Sequence, residues 1–351
     1  MTFEQNGLDW QIRMLSNGAV VLGDSVTCDG YLPKIDVRVQ THIHVDHMTK
    51  FESSMHGEIY MLEPTRDLLI AATSEWQYRR NIKSLEPGER KELKKGGFVE
   101  LYDASHMLGS AQAVYEGPDG FRMGYSGDFG WPTDSIKVDQ IVLDGTSGPN
   151  TIRNYSQEEA EAAFLELARS EIRKNRVVVI ADVESAFRVM ELLPALDNPA
   201  AILHPTFSQY VSVYEKYGVL PPTSLATPVS SEEAEEELKK YERDVIYFLP
   251  KGKRLPRDEK QSTIRLMPFY TRPDQLVFAI SEKSFDVGIS NHADFNQTMK
   301  YVEESKDLSH VLVDNYRGKK AVELALEINN QFPHLKISYE VEDPGVLLER
   351  L

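Results

Sequence analysis

The stretch THIHVDHMTKF, residues 41 to 51, gathers His42, His44, Asp46 and His47 in a chain that holds only nine histidines. Neutral imidazole and carboxylate together suit zinc, with manganese or iron as alternatives. His42 and His44 stand two apart, so at the end of a strand both rings project to one side. Asp46 and His47 follow on a turn, where the chain can fold back toward a second metal.

Candidate partners lie downstream. DASHMLGSAQ places His106 after a strand and before a glycine turn, and YSGDFG places Asp128 in a tight Gly-Asp turn. A carboxylate in such a turn can bridge two cations. LDGTSG ends a strand at Asp144, and GISNHADF puts His292 at a strand-to-helix junction. Each residue alone is unremarkable as a cap or a solvated side chain. Four such residues at strand ends are better explained by one shared cleft. His56, His204, His310 and His334 lack this spacing and are read as structural or surface residues.

The elements that must position these groups follow from periodicity. QIRML and AVVLG flank Ser16-Asn17-Gly18, a strong hairpin signal. VRVQTHIH carries β-branched residues straight into the histidines, so the cluster falls where a strand gives way to a loop. PTRDLLIAATSEWQYRR (64 to 80) has helical periodicity, and three further β-rich segments lead to Gly148. Beyond it the pattern alternates. SQEEAEAAFLELARSEIRK is a helix opened by a Ser156–Glu159 capping box. RVVVIA, ESAFRVMELLPAL, AAILHP and FSQYVSVYEKYG then read as strand, helix, strand, helix, which implies a parallel sheet. After the connection VLPPTSLATPVSS and an acidic helix come the strands VIYFLP, IRLMPF, LVFAI and FDVGIS. The remainder reads as a helix near 295 to 305, the strand HVLVDN, the helix KKAVELALEINNQF and the strand KISYEV. A β-rich start and an α/β middle indicate two domains, the second inserted into the first.

Composition narrows the class. The 351 residues are 41% apolar and 27% charged, as in an ordinary soluble protein. No apolar run approaches the ~20 residues of a membrane span. MTFEQNGLDW has no basic region followed by an apolar stretch, so no secretory signal is read there. Cys28 is the only cysteine, which excludes an internal disulfide and a thiolate metal cluster. The expectation is a cytoplasmic protein without a membrane partner. A net charge of −16 argues against a chain coated in nucleic acid, but not against a nuclease whose metal supplies local positive charge. The basic stretches YRRNIK (78 to 83), ERKELKK (89 to 95) and KGKRLPR (251 to 257) are mainly read as solvated faces.

Taken together, THIHVDH, SHMLGSA, YSGDF, LDGTSG and SNHAD resemble the ordered motifs of the metallo-β-lactamase-fold nucleases of the β-CASP family. That group includes the cleavage and polyadenylation endonuclease, the J-type ribonucleases, and the Artemis-type and ligase-associated DNA exonucleases. The resemblance runs over nearly the whole chain. It implies an αββα sandwich from residues 1–152 and 275–351, with an α/β β-CASP domain inserted at 153–274. It also implies two divalent metal ions, zinc or else manganese. His42, His44 and His106 would hold one ion, Asp46 and His47 the other, and Asp128 would bridge. Asp144 and His292 correspond to the acidic and histidine motifs near the leaving group, and with Asp46 make up the implied catalytic set. General chemistry agrees. Two cations clamp a scissile phosphate, and a histidine held by a carboxylate can protonate the departing oxygen.

One position departs from the pattern. RNA-acting members carry VHGE in the third motif, whose histidine ligates the second metal. Here HVLVDNYRG places Asp314 at that point, where the Artemis-like enzymes have valine. Asp314 either ligates through oxygen, favouring a harder cation such as manganese, or is a solvated strand-end residue.

The function implied is hydrolysis of phosphodiester bonds in single-stranded RNA or DNA threaded between the domains, with Lys251, Lys253 and Arg254 lining the groove. SNHAD followed by a helix tips the balance toward RNA processing or decay. HMLGSAQ is equally like the ligase-associated DNA exonucleases. Two other classes stand beside it: a lactonase or thioesterase of the same fold, and a non-catalytic scaffold.

Overall fold

The computed structural model describes residues 11–54, 57–197, 199–220, 225–255, 258–267 and 275–351. MTFEQNGLDW, His56, part of VLPPTSLATPVSS and the ends of KGKRLPR and IRLMPF lie outside the described residues. The chain divides into two compact units, Met1–Ile152 with His292–Leu351, and Arg153–Asn291.

In the first unit, alternating apolar residues build two sheets of seven strands each among the described residues. One begins at Val341–Glu342, parallel to the first strand of the expected hairpin, Ile12–Leu15 against Val20–Leu22, and continues through Val26–Cys28, Val37–Val39, Glu58–Leu62 and Ile82–Leu85. The other runs from Lys91–Glu92 through Phe98–Asp103, Ala111–Glu116, Arg122–Tyr125 and Gln140–Leu143 to His310–Val313 and Lys336–Ser338. Period-two alternation sends Ile12, Met14, Val20, Leu22 and Cys28 inward from the first sheet to meet Leu101, Ala113, Tyr125 and Val142 of the second. Burial stabilises by about 1.5–3 kcal/mol for each large apolar side chain.

The opposite faces carry helices. Ile141, Leu143, Val311 and Val313 pack on Met299, Val302, Leu324 and Ile328 of helices Phe295–Glu304 and Ala321–Gln331. Ile59 and Met61 pack with Leu69 of helix Glu63–Ala72. The result is an αββα sandwich. The helix expected over 64 to 80 ends at Ala72, and a separate 3₁₀ turn follows at Ser74–Tyr78. The β-branched Thr73 between them is extended, with φ of −152°, and interrupts the helical ladder. The helix Pro344–Arg350 was not expected, because its seven residues are too few to show periodicity.

The second unit is a doubly wound sheet. Its strand order is Leu225–Ala226, Ala200–Leu203, Val245–Pro250, Arg176–Ala181, Gln261–Leu266, Ser284–Val287 and Val277–Ser281, with all neighbours parallel except the last pair. Helix Gln157–Ile172 opens with the Ser156–Glu159 capping box read from the sequence. Phe187 and Tyr214 stack with centroids 3.8 Å apart. Residues 275–291, expected with the first domain, belong to this unit. Their two strands extend its sheet, because Ser284–Val287 pairs with Gln261–Leu266. No helix among the described residues is long and apolar enough to cross a membrane.

Candidate metal centre

The strand Val37–Val39 ends before the histidines, and residues 40–44 leave the sheet as loop. A turn closed by His47 N–H donating to the His44 carbonyl at 3.0 Å brings His47 back over His42, with ring centroids 4.0 Å apart. Val45 and Asp46 occupy the exposed tip of that turn. His106 sits in the loop after Phe98–Asp103. There Ser110 Oγ accepts from the backbone N–H groups of His106 and Met107, at 3.0 and 3.1 Å. Asp128 follows Gly127, whose φ is +56° and whose added Cβ would meet the Ala111 carbonyl oxygen at 2.8 Å. Only glycine accepts both constraints, so Gly127 fixes where Asp128 emerges.

His42, His44, His106 and Asp128 converge, each offering a ligand atom within 4.8 Å of the others. His42 Nε2 and His106 Nε2 lie 3.0 and 3.3 Å from His44 Nδ1. Tetrahedral zinc with Zn–N of about 2.0–2.1 Å requires nitrogens about 3.3 Å apart, so this trio fits a cation as it stands. One N–H proton serves only one such contact well, whereas a cation satisfies all three.

Behind the cluster lies a residue that the motifs did not single out. Asp29 is fully buried and accepts from Thr41 N–H at 2.8 Å, Thr41 Oγ1–H at 2.5 Å, Gln40 Nε2 at 3.2 Å and His47 Nδ1–H at 2.7 Å. The Thr41 hydroxyl spends its proton on Asp29, so it accepts from His42 Nδ1–H at 2.9 Å. These bonds assign both Nδ1 protons and turn the Nε2 lone pairs of His42 and His47 toward the cluster. His47 Nε2 is buried without a hydrogen-bond partner, 3.2 Å from Asp128 Oδ1. A lone pair facing a carboxylate at that distance calls for a cation or a proton between them.

The electrostatics follow from crowding. Burial, with His47 and His44 close by, pushes the His42 imidazolium well below its ordinary value. Burial would lower His47 too, yet Asp128 and Asp29 raise it to about 10. Burial would raise the Asp128 carboxyl, but His47, His292 and His42 hold it well below the usual carboxylate range.

His292 faces the cluster from the start of the segment that returns to the first unit. Its Nδ1 lies 3.2 Å from Asp144 Oδ2, its Nε2 3.8 Å from Asp128 Oδ2, and its ring 4.4 Å from that of His106. Asp144 is fixed by its own N–H donating to Ser126 Oγ at 2.9 Å and by accepting from Thr146 N–H at 2.9 Å.

Two expected residues stand differently. Asp46 is 63% exposed and its Oδ2 is 3.9 Å from His47 Nε2. Asp314 is buried, against the solvated reading, and its carboxylate accepts from the N–H groups of Tyr316 and Arg317 and from Arg317 Nη1. Burial raises this carboxyl while Arg317 pulls it down. The basic stretches divide. Arg79 donates to the Ser54 carbonyl, and Arg90 pairs with Glu100 and Glu116, so these serve the structure. Lys251 pairs with Asp182, while Lys253 and Arg254 are exposed. His204 and His310 are buried and His334 is exposed.

Two sheets between helices, with a His-x-His-x-Asp-His loop at the end of one strand, define the metallo-β-lactamase fold. No protein-family model matches the chain. An RNase J-like protein of Methanocaldococcus jannaschii is 26% identical over 209 residues, covering 52% of this chain and 49% of that protein. The transcription termination factor FttA of Methanothermobacter thermautotrophicus is 26% identical over 200 residues, 48% of this chain and 31% of its own length. Subunit 3 of the cleavage and polyadenylation specificity factor of Dictyostelium discoideum is 26% identical over 208 residues, 50% of this chain and 26% of its own. The chain therefore spans half or less of the length of these relatives. Over about half of its length the chain is thus similar to proteins of the β-CASP group of the metallo-β-lactamase fold.

Proposed function

We propose that this chain is a metal-dependent phosphodiesterase that hydrolyses single-stranded nucleic acid, RNA in preference to DNA. The observation that carries this reading is His292, held by Asp144 on one side and facing Asp128 and His106 on the other. RNA is preferred because the three relatives are named for RNase J, for transcription termination and for cleavage and polyadenylation. We assign His42, His44, His106 and Asp128 to one divalent cation, zinc on its three imidazoles and manganese as the alternative. His47, Asp46 and the far oxygen of Asp128 face a second. Such ions, when bound, supply Lewis-acid polarisation of the phosphate and a nucleophile at neutral pH.

The protein's own residues do the rest. Asp29 holds His47 directly and His42 through Thr41, so neither imidazole turns when a ligand arrives. His292, protonated on Nε2, gives that proton to the departing oxygen, and Asp144 accepts from Nδ1–H and stabilises the imidazolium before transfer. A cytoplasmic placement belongs to the same proposal, in keeping with a single buried cysteine thiol.

End-labelled RNA and single-stranded DNA of matched sequence, incubated with Zn²⁺ or Mn²⁺, test it. RNA shortened faster than DNA is the expected result, with His44→Ala and Asp128→Ala inactive. A product ladder from one end assigns polarity. Turnover confined to a thioester and lactone panel would overturn the reading.

A further inference from the structure

The two sides of Asp128 are not equally furnished. On the first side three imidazoles and a carboxylate already stand at ligand spacing. On the His47 side, His47 Nε2 and Asp128 Oδ1 are in place, while Asp46 sits at the exposed tip of its turn with Oδ2 3.9 Å from His47 Nε2. Asp314, which the family resemblance sets at the place of a further ligand, is already engaged. Asp314 Oδ1 accepts from Tyr316 N–H at 2.9 Å and Arg317 N–H at 3.0 Å, and Oδ2 accepts from Arg317 Nη1 at 3.1 Å.

Arg317 is the plug. Its side chain is 4% exposed and ties together four chain segments. Nη1 holds Asp314, Nη2 donates to the carbonyls of Gly18 and Asp29, and Nε donates to the Asp46 carbonyl at 3.3 Å. A guanidinium is charged at every accessible pH and cannot serve as a ligand. Its Nε bond to the Asp46 carbonyl sets it against the turn that carries Asp46 and His47, with its charge matched by Asp314. Removing it would leave Asp314 buried and unpaired, so the pair is locked in place.

We propose that the chain retains one divalent cation, in the His42–His44–His106–Asp128 pocket, and that the position beside His47 is a low-affinity, exchangeable site because Asp314 and Arg317 neutralise each other where its remaining protein ligand would stand. This rests on the metal-dependent reading above, and metal content separates the two without recourse to activity. The purified chain is loaded with excess Zn²⁺, passed into metal-free buffer and analysed for metal by mass spectrometry. About one zinc per chain is expected, and calorimetric titration of metal-stripped protein should show a second event about 100-fold weaker. Two zincs retained per chain would overturn the inference and leave the metal-dependent reading intact. None retained would overturn that reading itself. Asp46→Asn should keep the single ion and His44→Ala should lose it, and the reverse would place the retained ion on the wrong side. The double variant Asp314→His, Arg317→Gln supplies an imidazole without the guanidinium. Retention of a second zinc is its expected result, checked against unchanged circular dichroism, and a folded variant that still retains one would count against the role given to the pair.

Discussion

Asp29 Oδ2 and His47 Nδ1 meet at 2.7 Å with both side chains fully buried, so the carboxylate that orients the candidate centre is itself sealed from water. The same carboxylate reaches His42 through the Thr41 hydroxyl. Asp29→Asn keeps the shape and loses the charge. Metal affinity should fall about 10–100-fold, as is usual when the partner of a ligating histidine is replaced. Asp29→Ala removes four accepted hydrogen bonds at once and should cost about 3–5 kcal/mol of stability. Metal titration checks the first and denaturant unfolding the second.

His292→Ala should lower kcat by about 10²–10⁴-fold while the zinc content stays that of the unaltered chain. The proposal makes this imidazole a proton donor and not a ligand, in keeping with its absence from the four ligand atoms that lie within 4.8 Å of one another. A parallel loss of zinc would count against that role. Substrates with a leaving group that needs no proton should recover much of the rate.

Gly127→Ala tests the turn rather than the chemistry. The φ of +56° and the 2.8 Å approach to the Ala111 carbonyl leave no room for a methyl group. A loss of about 1–3 kcal/mol is expected from the strained backbone. Asp128 moves with it, so zinc retention should drop in a variant that remains folded by circular dichroism.

Cation binding should stabilise the fold, because His42, His44, His106 and Asp128 bring four electron-donating ligand atoms within 4.8 Å of one another. Zinc at 100 times its dissociation constant should add about 2.7 kcal/mol. Thermal unfolding with and without a chelator reads this directly. His42→Ala, which takes away one of the four converging ligands, should abolish most of the shift.

The HIHVDH loop was legible because its chemistry is dense and local; period-two and helical patterns gave a β-rich start and an α/β middle, while the αββα order came from the family resemblance. Asp29 was not legible, because it joins the site through strand pairing. Cys28 lies beside Val39 in parallel register, which brings the next residue of each strand end, Asp29, to Gln40 and Thr41. In the sequence it is only the Asp of TCDG, a turn signal, and its φ of +52° is hidden there. Arg317 escaped for a different reason. DNYRG sets an arginine three residues after Asp314, but nothing in the spacing tells a buried ion pair from a solvated one. The strands at Val277–Ser281 and Ser284–Val287 were read correctly as strands. Their partners lie in another stretch of chain, so the domain to which they belong was not visible.

His42, His44, His106 and Asp128 all belong to the first 128 residues, whereas His292 follows the whole of Arg153–Asn291. During synthesis, then, the four candidate cation ligands leave the ribosome long before His292, the proposed proton donor. The edge of the second sheet at Gln140–Leu143 also waits for His310–Val313 to cover it. A chain with the proposed activity, ordered this way, has its full set of candidate catalytic residues only after the inserted unit has been made.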